Sequence, residues 1–154
     1  MNERVETIAS ISLFKGLGQA QIERLAVIAE EMSLREGMVL FREGDVGDRL
    51  FAILEGKVRI SRQIPGIGEE ALAILEPGDH FGEMSIIDDD PRSGDALAHE
   101  DCRLLSISKA AIQDLMFTDL ALAHEILWNL VRTLSERLRR SNDKMTFLAV
   151  TSRF

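Results

Sequence analysis

No glycine follows Gly94; all eleven lie between Gly16 and that position. The last part of the chain therefore lacks the residue that makes tight turns, while the middle is rich in it. Cysteine is nearly absent too. The single Cys102 allows no intrachain disulfide and fits a reducing, cytoplasmic compartment. No apolar run approaches the ~18 residues a membrane span needs. The first residues, "MNERVETIASISLF", carry acids and no apolar signal region. Basic charge is outweighed: 18 Lys and Arg against 26 Asp and Glu leave a net charge of −8. That sign opposes a nucleic-acid backbone and an anionic membrane, so neither is expected as a partner.

Catalytic signatures are equally sparse. The three histidines, His80, His99 and His124, form no His-x-His pair, and "PGDHFGE" offers only one of them. A lone His80 beside Phe81 reads as structural. "HEILW" has Trp128 where a zinc-protease helix needs its second histidine, and no Gly-x-Ser-x-Gly elbow occurs. "GIGEE" at Gly66 lacks the lysine and following helix of a phosphate loop and reads as a hairpin turn. The expectation is a non-enzyme without a bound metal.

What remains is ordinary globular composition, 45% apolar and 29% charged. "LGQAQIERLAVIAEEM" places Ile22, Leu25, Ala26, Ile28 and Ala29 on one helical stripe. From Arg35 to Asp79 short apolar runs, "MVLF", "RLFAILEG", "KVRIS" and "EALAILEPGD", are punctuated by Gly37, Gly44, Gly56, Gly66 and Gly78. Such spacing predicts an antiparallel sandwich or barrel. "DALAHEDCRLLSIS" adds strand, with Cys102, Leu104 and Ser106 alternating against Arg103, Leu105 and Ile107, so Cys102 reads as packing. Ser108 is the expected N-cap of "SKAAIQDLM".

The end of the chain reads as one long helix, uninterrupted by Gly or Pro from Asp119 to Lys144. Phe117, Leu120, His124, Leu127, Val131, Leu134, Leu138, Ser141, Met145 and Leu148 fit a heptad seam, and Ile126 and Leu130 make a second apolar face. One face would pack on the β-domain; the other would pair with the same helix of a second subunit, giving a homodimer. The basic residues Arg132, Arg137, Arg139, Arg140 and Lys144, interleaved with Glu136 and Asp143, read as a solvated flank.

The stretch "FGEMSIIDDDPRSG", Phe81 to Gly94, carries the functional signal. Pro91 sets the direction in which the chain enters Arg92, whose guanidinium suits paired phosphate oxygens. Gly82 lets backbone approach a ligand closely, and residues after it can form a helical turn with unpaired N–H groups. Glu83 repels phosphate but accepts a hydrogen bond from a sugar hydroxyl. A sugar-phosphate answers this set better than inorganic phosphate.

This stretch, with a Glu-to-Arg spacing of nine, resembles the phosphate-binding cassette of the cyclic-nucleotide-binding domain family. That family includes catabolite-activator-type regulators and regulatory subunits of cyclic-AMP-dependent protein kinase. "LFKGL" ahead of the first helix and "REGMVLFREGDVGDRLFAILEGKVRIS" resemble its opening segments. The likeness spans residues 10–150 approximately. It implies a mainly β fold: an antiparallel, jelly-roll-like β-roll with an N-terminal helix and a long C-terminal helix. The implied divisions are 1–118 for helix plus roll, 119–148 for the long dimerisation or lid helix, and 149–154 for a tail. No helix-turn-helix is expected.

The implied ligand is cyclic AMP, with cyclic GMP as the alternative. Arg92 would bind the exocyclic phosphate oxygens and Glu83 the ribose 2′-OH. The backbone of Gly82, Met84 and Ser85 would lie on the sugar-phosphate, and Ser93 would add a hydroxyl. "RLRRSNDKM" resembles the base-contacting segment of dimeric members, which makes Ser141 and Asn142 the base candidates. A downstream protein of unidentified kind would read the signal. Gly94 and Asp95 depart from the family pattern, and Asp88, Asp89 and Asp90 add negative charge beside the anion site. A domain that kept the fold and lost its ligand, serving as a dimerisation module, is the other reading.

Overall fold

Alternation within two central strands organises the molecule. In the computed structural model, which describes residues 3–151 and gives residues 85 and 86 by their backbone alone, β3 (Arg49–Glu55) and β8 (Cys102–Ser108) pair antiparallel. Successive side chains on a strand point to opposite faces. Phe51, Ile53, Cys102 and Leu104 therefore face the interior of a β-roll, with Leu34, Val58, Phe81, Ala96 and Ala98. Leu50, Ala52, Leu105 and Ile107 face the other way, into a second core shared with the helices. Cys102 is packing, as its alternation predicts.

The roll is two four-stranded antiparallel sheets, ordered β1-β8-β3-β6 and β2-β7-β4-β5. The remaining strands are β1 (Glu30–Leu34), β2 (Val39–Phe41), β4 (Val58–Ile64), β5 (Gly68–Leu75), β6 (His80–Phe81) and β7 (Asp95–Ala98). Turn glycines bound them. At Gly56, φ is +83° and an added Cβ would stand 2.1 Å from the Asp101 carbonyl oxygen, so no other residue fits there.

The helices are α1 (Glu3–Ser10), α2 (Gln19–Ile28), the four-residue α3 (Met84–Ile87), α4 (Lys109–Thr118) and α5 (Leu120–Thr151). α1 is an addition to the sequence reading, which placed the first helix after "LFKGL". α2 ends at Ile28, one residue before the last position of the expected stripe, Ala29. Ala29 turns extended, Arg4 Nη1 donates to its carbonyl oxygen at 3.0 Å, and Glu30–Leu34 pairs with Cys102–Ser106 instead. Strand pairing overrides a helical stripe of modest propensity. Ser108 caps α4 as expected, accepting from Ala111 N at 3.1 Å.

α5 is ~48 Å long at 1.5 Å per residue, and it includes residues 149–151, which the sequence reading gave to a tail. Asp119 caps its start through Leu122 N at 3.1 Å. Leu122, Ile126 and Leu130 are buried in the helical core, and buried Asn129 donates through Nδ2 to the carbonyls of Leu13 (2.9 Å) and Lys15 (2.8 Å). The expected seam, Leu120, Leu127, Val131, Leu138, Met145 and Leu148, is exposed in the single chain. Leu134 instead packs on the core. Among the described residues no helix is long and apolar enough to cross a membrane.

Candidate functional site

β6 ends at Phe81, and Gly82 follows with φ +82°. An added Cβ there would lie 2.7 Å from Arg92 Nη1 and 2.9 Å from the Arg49 carbonyl oxygen. The glycine is thus the space into which Arg92 reaches. Arg92 is 8% exposed. Its Nη2 donates to Arg49 O at 2.8 Å, and its guanidinium carbon sits 4.3 Å from the Phe41 ring centroid. Phe41, Phe51 and Phe81 form an aromatic floor, with centroids 5.2–6.1 Å apart. The backbone is equally fixed: Arg92 N donates to Asp45 O at 2.8 Å, and Gly44 N donates to Arg92 O at 2.9 Å. Burial lowers the guanidinium's hold on its proton, while Asp48, Glu83 and Asp45 act against that.

Glu83, only 2% exposed, opens the short turn α3. Its Oε1 pairs with Arg137 Nη1 of α5 at 2.5 Å, and its Oε2 lies 3.4 Å from His80 Nδ1. The second contact is within ion-pair range but misaligned. Neither Oε2 nor Nδ1 has a hydrogen-bond partner among the described residues. Burial pushes the carboxyl pKa up, yet the imidazole beside it and the charge of Arg137 outweigh that and hold it at about 2 rather than 4.5. Glu83 is an anion at any physiological pH.

Arg92 and Glu83 line one cavity of about 560 Å³, within the ~300–1,000 Å³ of small-molecule sites. Its walls are Phe41 of β2, Ile60 of β4, Ala73 and Leu75 of β5, the cassette residues His80 to Met84, Asp88 and Asp90 to Gly94, and Arg137 and Arg140 of α5. It joins an apolar wall to a pole of charged groups, which is the make-up of a nucleotide.

Of the expected residues, Gly82, Glu83, Met84, Arg92 and Ser93 all line this cavity. The Ser85 side chain lies outside the described residues. Ser141 and Asn142 are exposed on α5 and are not among the lining residues; Arg137 and Arg140, read from sequence as a solvated flank, are. Their three-residue spacing puts them on one helical face, a signal the interleaved acids obscured. His80, read as structural, is 7% exposed and lines the cavity.

Asp95 is drawn away from the ligand space. Its Oδ1 accepts from Glu43 N at 2.7 Å, and Arg42 Nη1 stands 3.5 Å from Oδ2. Gly94 is tight: an added Cβ would meet Ser61 O at 3.0 Å. Lys109 Nζ holds the acidic loop, at 2.6 Å from Asp89 Oδ1 and 2.8 Å from Asp88 O. Asp88 and Asp90 line the cavity. Among the described residues no cluster of His, Cys, Asp and Glu could hold a metal ion.

Comparison with known proteins agrees with this geometry. The family model "Cyclic nucleotide-binding domain" matches residues 31–119. A "CRP-like cAMP-activated global transcriptional regulator" of Mycobacterium tuberculosis is 35% identical over 146 residues, 95% of this chain and 63% of the relative. A "Cyclic AMP receptor protein" of Thermus thermophilus is 34% identical over 89% of this chain and 62% of its own. The chain thus spans less than two thirds of the length of either curated relative. The N-terminal domain of a Streptomyces coelicolor A3(2) transcriptional regulator superposes with a TM-score of 0.77 at 33% identity, covering 90% of this chain and 94% of that one.

Proposed function

Since the chain belongs to the cyclic nucleotide-binding domain family, we propose that it is a regulatory sensor of a 3′,5′-cyclic purine nucleotide, cyclic AMP ahead of cyclic GMP. One observation carries this: a buried guanidinium and a buried, ionised carboxylate face a single cavity under a long helix. Arg92 takes the exocyclic phosphate oxygens, with Ser93 and the backbone of Gly82, Met84 and Ser85 beside them. Glu83 accepts from the ribose 2′-OH. The base lies along Ile60, Ala73 and Leu75. The preference for cyclic AMP follows the names of the Mycobacterium and Thermus relatives.

The module binds; no group in the cavity is assigned a catalytic step. Output passes through α5. Arg137 ties that helix to the residue that holds the ribose, so nucleotide and helix compete for, or share, the Glu83 carboxylate. A ligand with different affinity for two placements of α5 shifts their populations. A near-complete switch needs about 5.5 kcal/mol of such preference. The exposed seam of α5 pairs with a second copy, and Ser141 and Asn142 reach the base from that pairing. The sensor acts in the cytoplasm on a downstream protein, away from nucleic acid and membrane.

Isothermal titration with cyclic AMP and cyclic GMP tests the reading. Charge-assisted hydrogen bonds contribute ~1.5–3 kcal/mol each, so losing two in Arg92→Leu weakens binding at least ~100-fold. A folded wild-type protein that takes up neither nucleotide is instead the ligand-free dimerisation module.

A further inference from the structure

His80 is a buried, titratable wall of the cavity that the cassette pattern leaves without a task. Its backbone is held in β6, opposite Ala52 of β3. Its Nδ1 points within 3.4 Å of Glu83 Oε2, both atoms are buried, and neither has a hydrogen-bond partner among the described residues. Arg137 occupies the other carboxylate oxygen. A small adjustment would let a protonated imidazole donate to Oε2 and fix the carboxylate plane.

The charges around the cavity give this adjustment a cause. Besides His80, the charged residues lining it are Glu83, Asp88 and Asp90 from the cassette, Arg92 from its far end, and Arg137 and Arg140 from α5. The β2, β4 and β5 walls supply Phe41, Ile60, Ala73 and Leu75, none of them ionisable. Three carboxylates thus stand against three guanidiniums, and the wall is neutral with His80 neutral. A cyclic nucleotide brings one phosphodiester charge into this low-dielectric space. One further proton restores the balance, and His80, with its Nδ1 3.4 Å from Glu83 Oε2, is the lining side chain placed to take it.

We propose that His80 is a positioning residue for the Glu83 carboxylate and takes up a proton together with the nucleotide, so that affinity rises as pH falls from about 8 to about 6. This rests on the cyclic-nucleotide reading above. The sign follows from linkage: a group that holds its proton more tightly in the complex favours the complex at lower pH. A single site gives at most a tenfold change per pH unit. About tenfold tighter binding is expected between about pH 8 and about pH 6.

The test is calorimetric titration of cyclic AMP and cyclic GMP into the full chain at about pH 6, 7 and 8, in buffers of differing ionisation enthalpy. Wild type should show the tenfold gain and buffer-dependent heats reporting proton uptake. His80→Met should bind with pH-independent affinity matching wild type at the high-pH end. His80→Asn, which keeps a donor without titrating, should also be flat but bind more tightly than His80→Met. His99 and His124 are exposed and off the cavity, so both variants keep them as controls. Should His80→Met not fold, wild type and His80→Asn alone decide the matter. Binding by wild type without pH dependence, or a slope that survives in either variant, overturns the inference alone. Absence of binding at every pH overturns it along with the cyclic-nucleotide reading.

Discussion

Arg137→Met is the substitution that most directly probes how the cavity is joined to α5. It removes the charge from a 2.5 Å ion pair and keeps most of the apolar stem. The carboxylate left behind is 2% exposed, and the group removed is half exposed, with 50% of its side chain open. At ~1.36 kcal/mol per pKa unit, holding Glu83 at about 2 instead of 4.5 corresponds to ~3 kcal/mol of preference for the charged form. Burial opposes that preference, and the imidazole of His80 shares in producing it. Water screens the exposed side of Arg137, so its own share is ~1 kcal/mol. The sign is fixed by the depressed pKa. Glu83 contributes fully above 4.5, and the contribution is lost as pH falls from there toward about 2. In Arg137→Met the folded-state carboxyl pKa rises, so the loss still begins near 4.5 but is complete at a higher pH, and the total is smaller. Urea denaturation followed by circular dichroism, at fixed protein concentration, should therefore show a deficit of ~1 kcal/mol near neutrality that shrinks to nothing once Glu83 is protonated in both proteins. An equal deficit at every pH would mean that Arg137 matters only for its packing. No deficit at all would mean that the pair is absent in solution.

Two further outcomes follow from the geometry. Gly82→Ala forces a Cβ against Arg92 Nη1 and Arg49 O at φ +82°, so it should cost ~1–3 kcal/mol in thermal stability and weaken nucleotide at least ~10-fold; unchanged titration would show that Arg92 does not sit where described. Val131→Glu with Leu138→Glu places charges on the exposed seam of α5. Sedimentation should then report a dimer for wild type and a folded monomer for the variant, and a wild-type monomer at roughly tens of micromolar protein would remove the seam argument.

How much of this was legible in sequence depended on distance along the chain. The cassette was legible because Gly82, Glu83 and Arg92 stand within a dozen residues, on the turn that closes β6 and in the loop that leads into β7. The strand runs were legible because glycine marks the turns between them. The change from α2 to β1 was not. "IAEEM" continues a helical stripe, and only its partner strand far downstream, with Arg4 at the Ala29 carbonyl, makes it extended. α1 gave no signal strong enough to separate it from an irregular lead-in. His80 was legible as structural but not as a neighbour of the Glu83 carboxylate, since its three-residue separation from Glu83 becomes a contact only through the glycine turn. Arg137 and Arg140 were hidden by the flanking acids Glu136 and Asp143, and by the absence of any local rule linking a helix to a loop so distant in the chain.

The position of those two arginines bears on mechanism. At 100° per residue, Leu122, Ile126, Leu130 and Arg137 fall on a single stripe of α5. Its first three members are buried in the helical core, and the fourth reaches the cavity. One face of the helix thus changes from apolar to basic where the surface beneath it changes from packed side chains to ligand space. Arg137 consequently cannot leave Glu83 by a large swing of the helix as a whole, because Asn129, ~12 Å back along the axis, is held to the carbonyls of Leu13 and Lys15. Beyond Leu134, Arg137 pairs with Glu83, and residues 136–151 are all exposed. On the proposed reading, a nucleotide whose 2′-OH donates to Glu83 therefore acts on the part of α5 beyond an anchor at Asn129 and Leu130. The exposed seam at Leu138, Met145 and Leu148 lies on that same part of the helix, so on the proposed reading a change of one hydrogen-bonding partner at Glu83 would alter the angle at which two such helices meet.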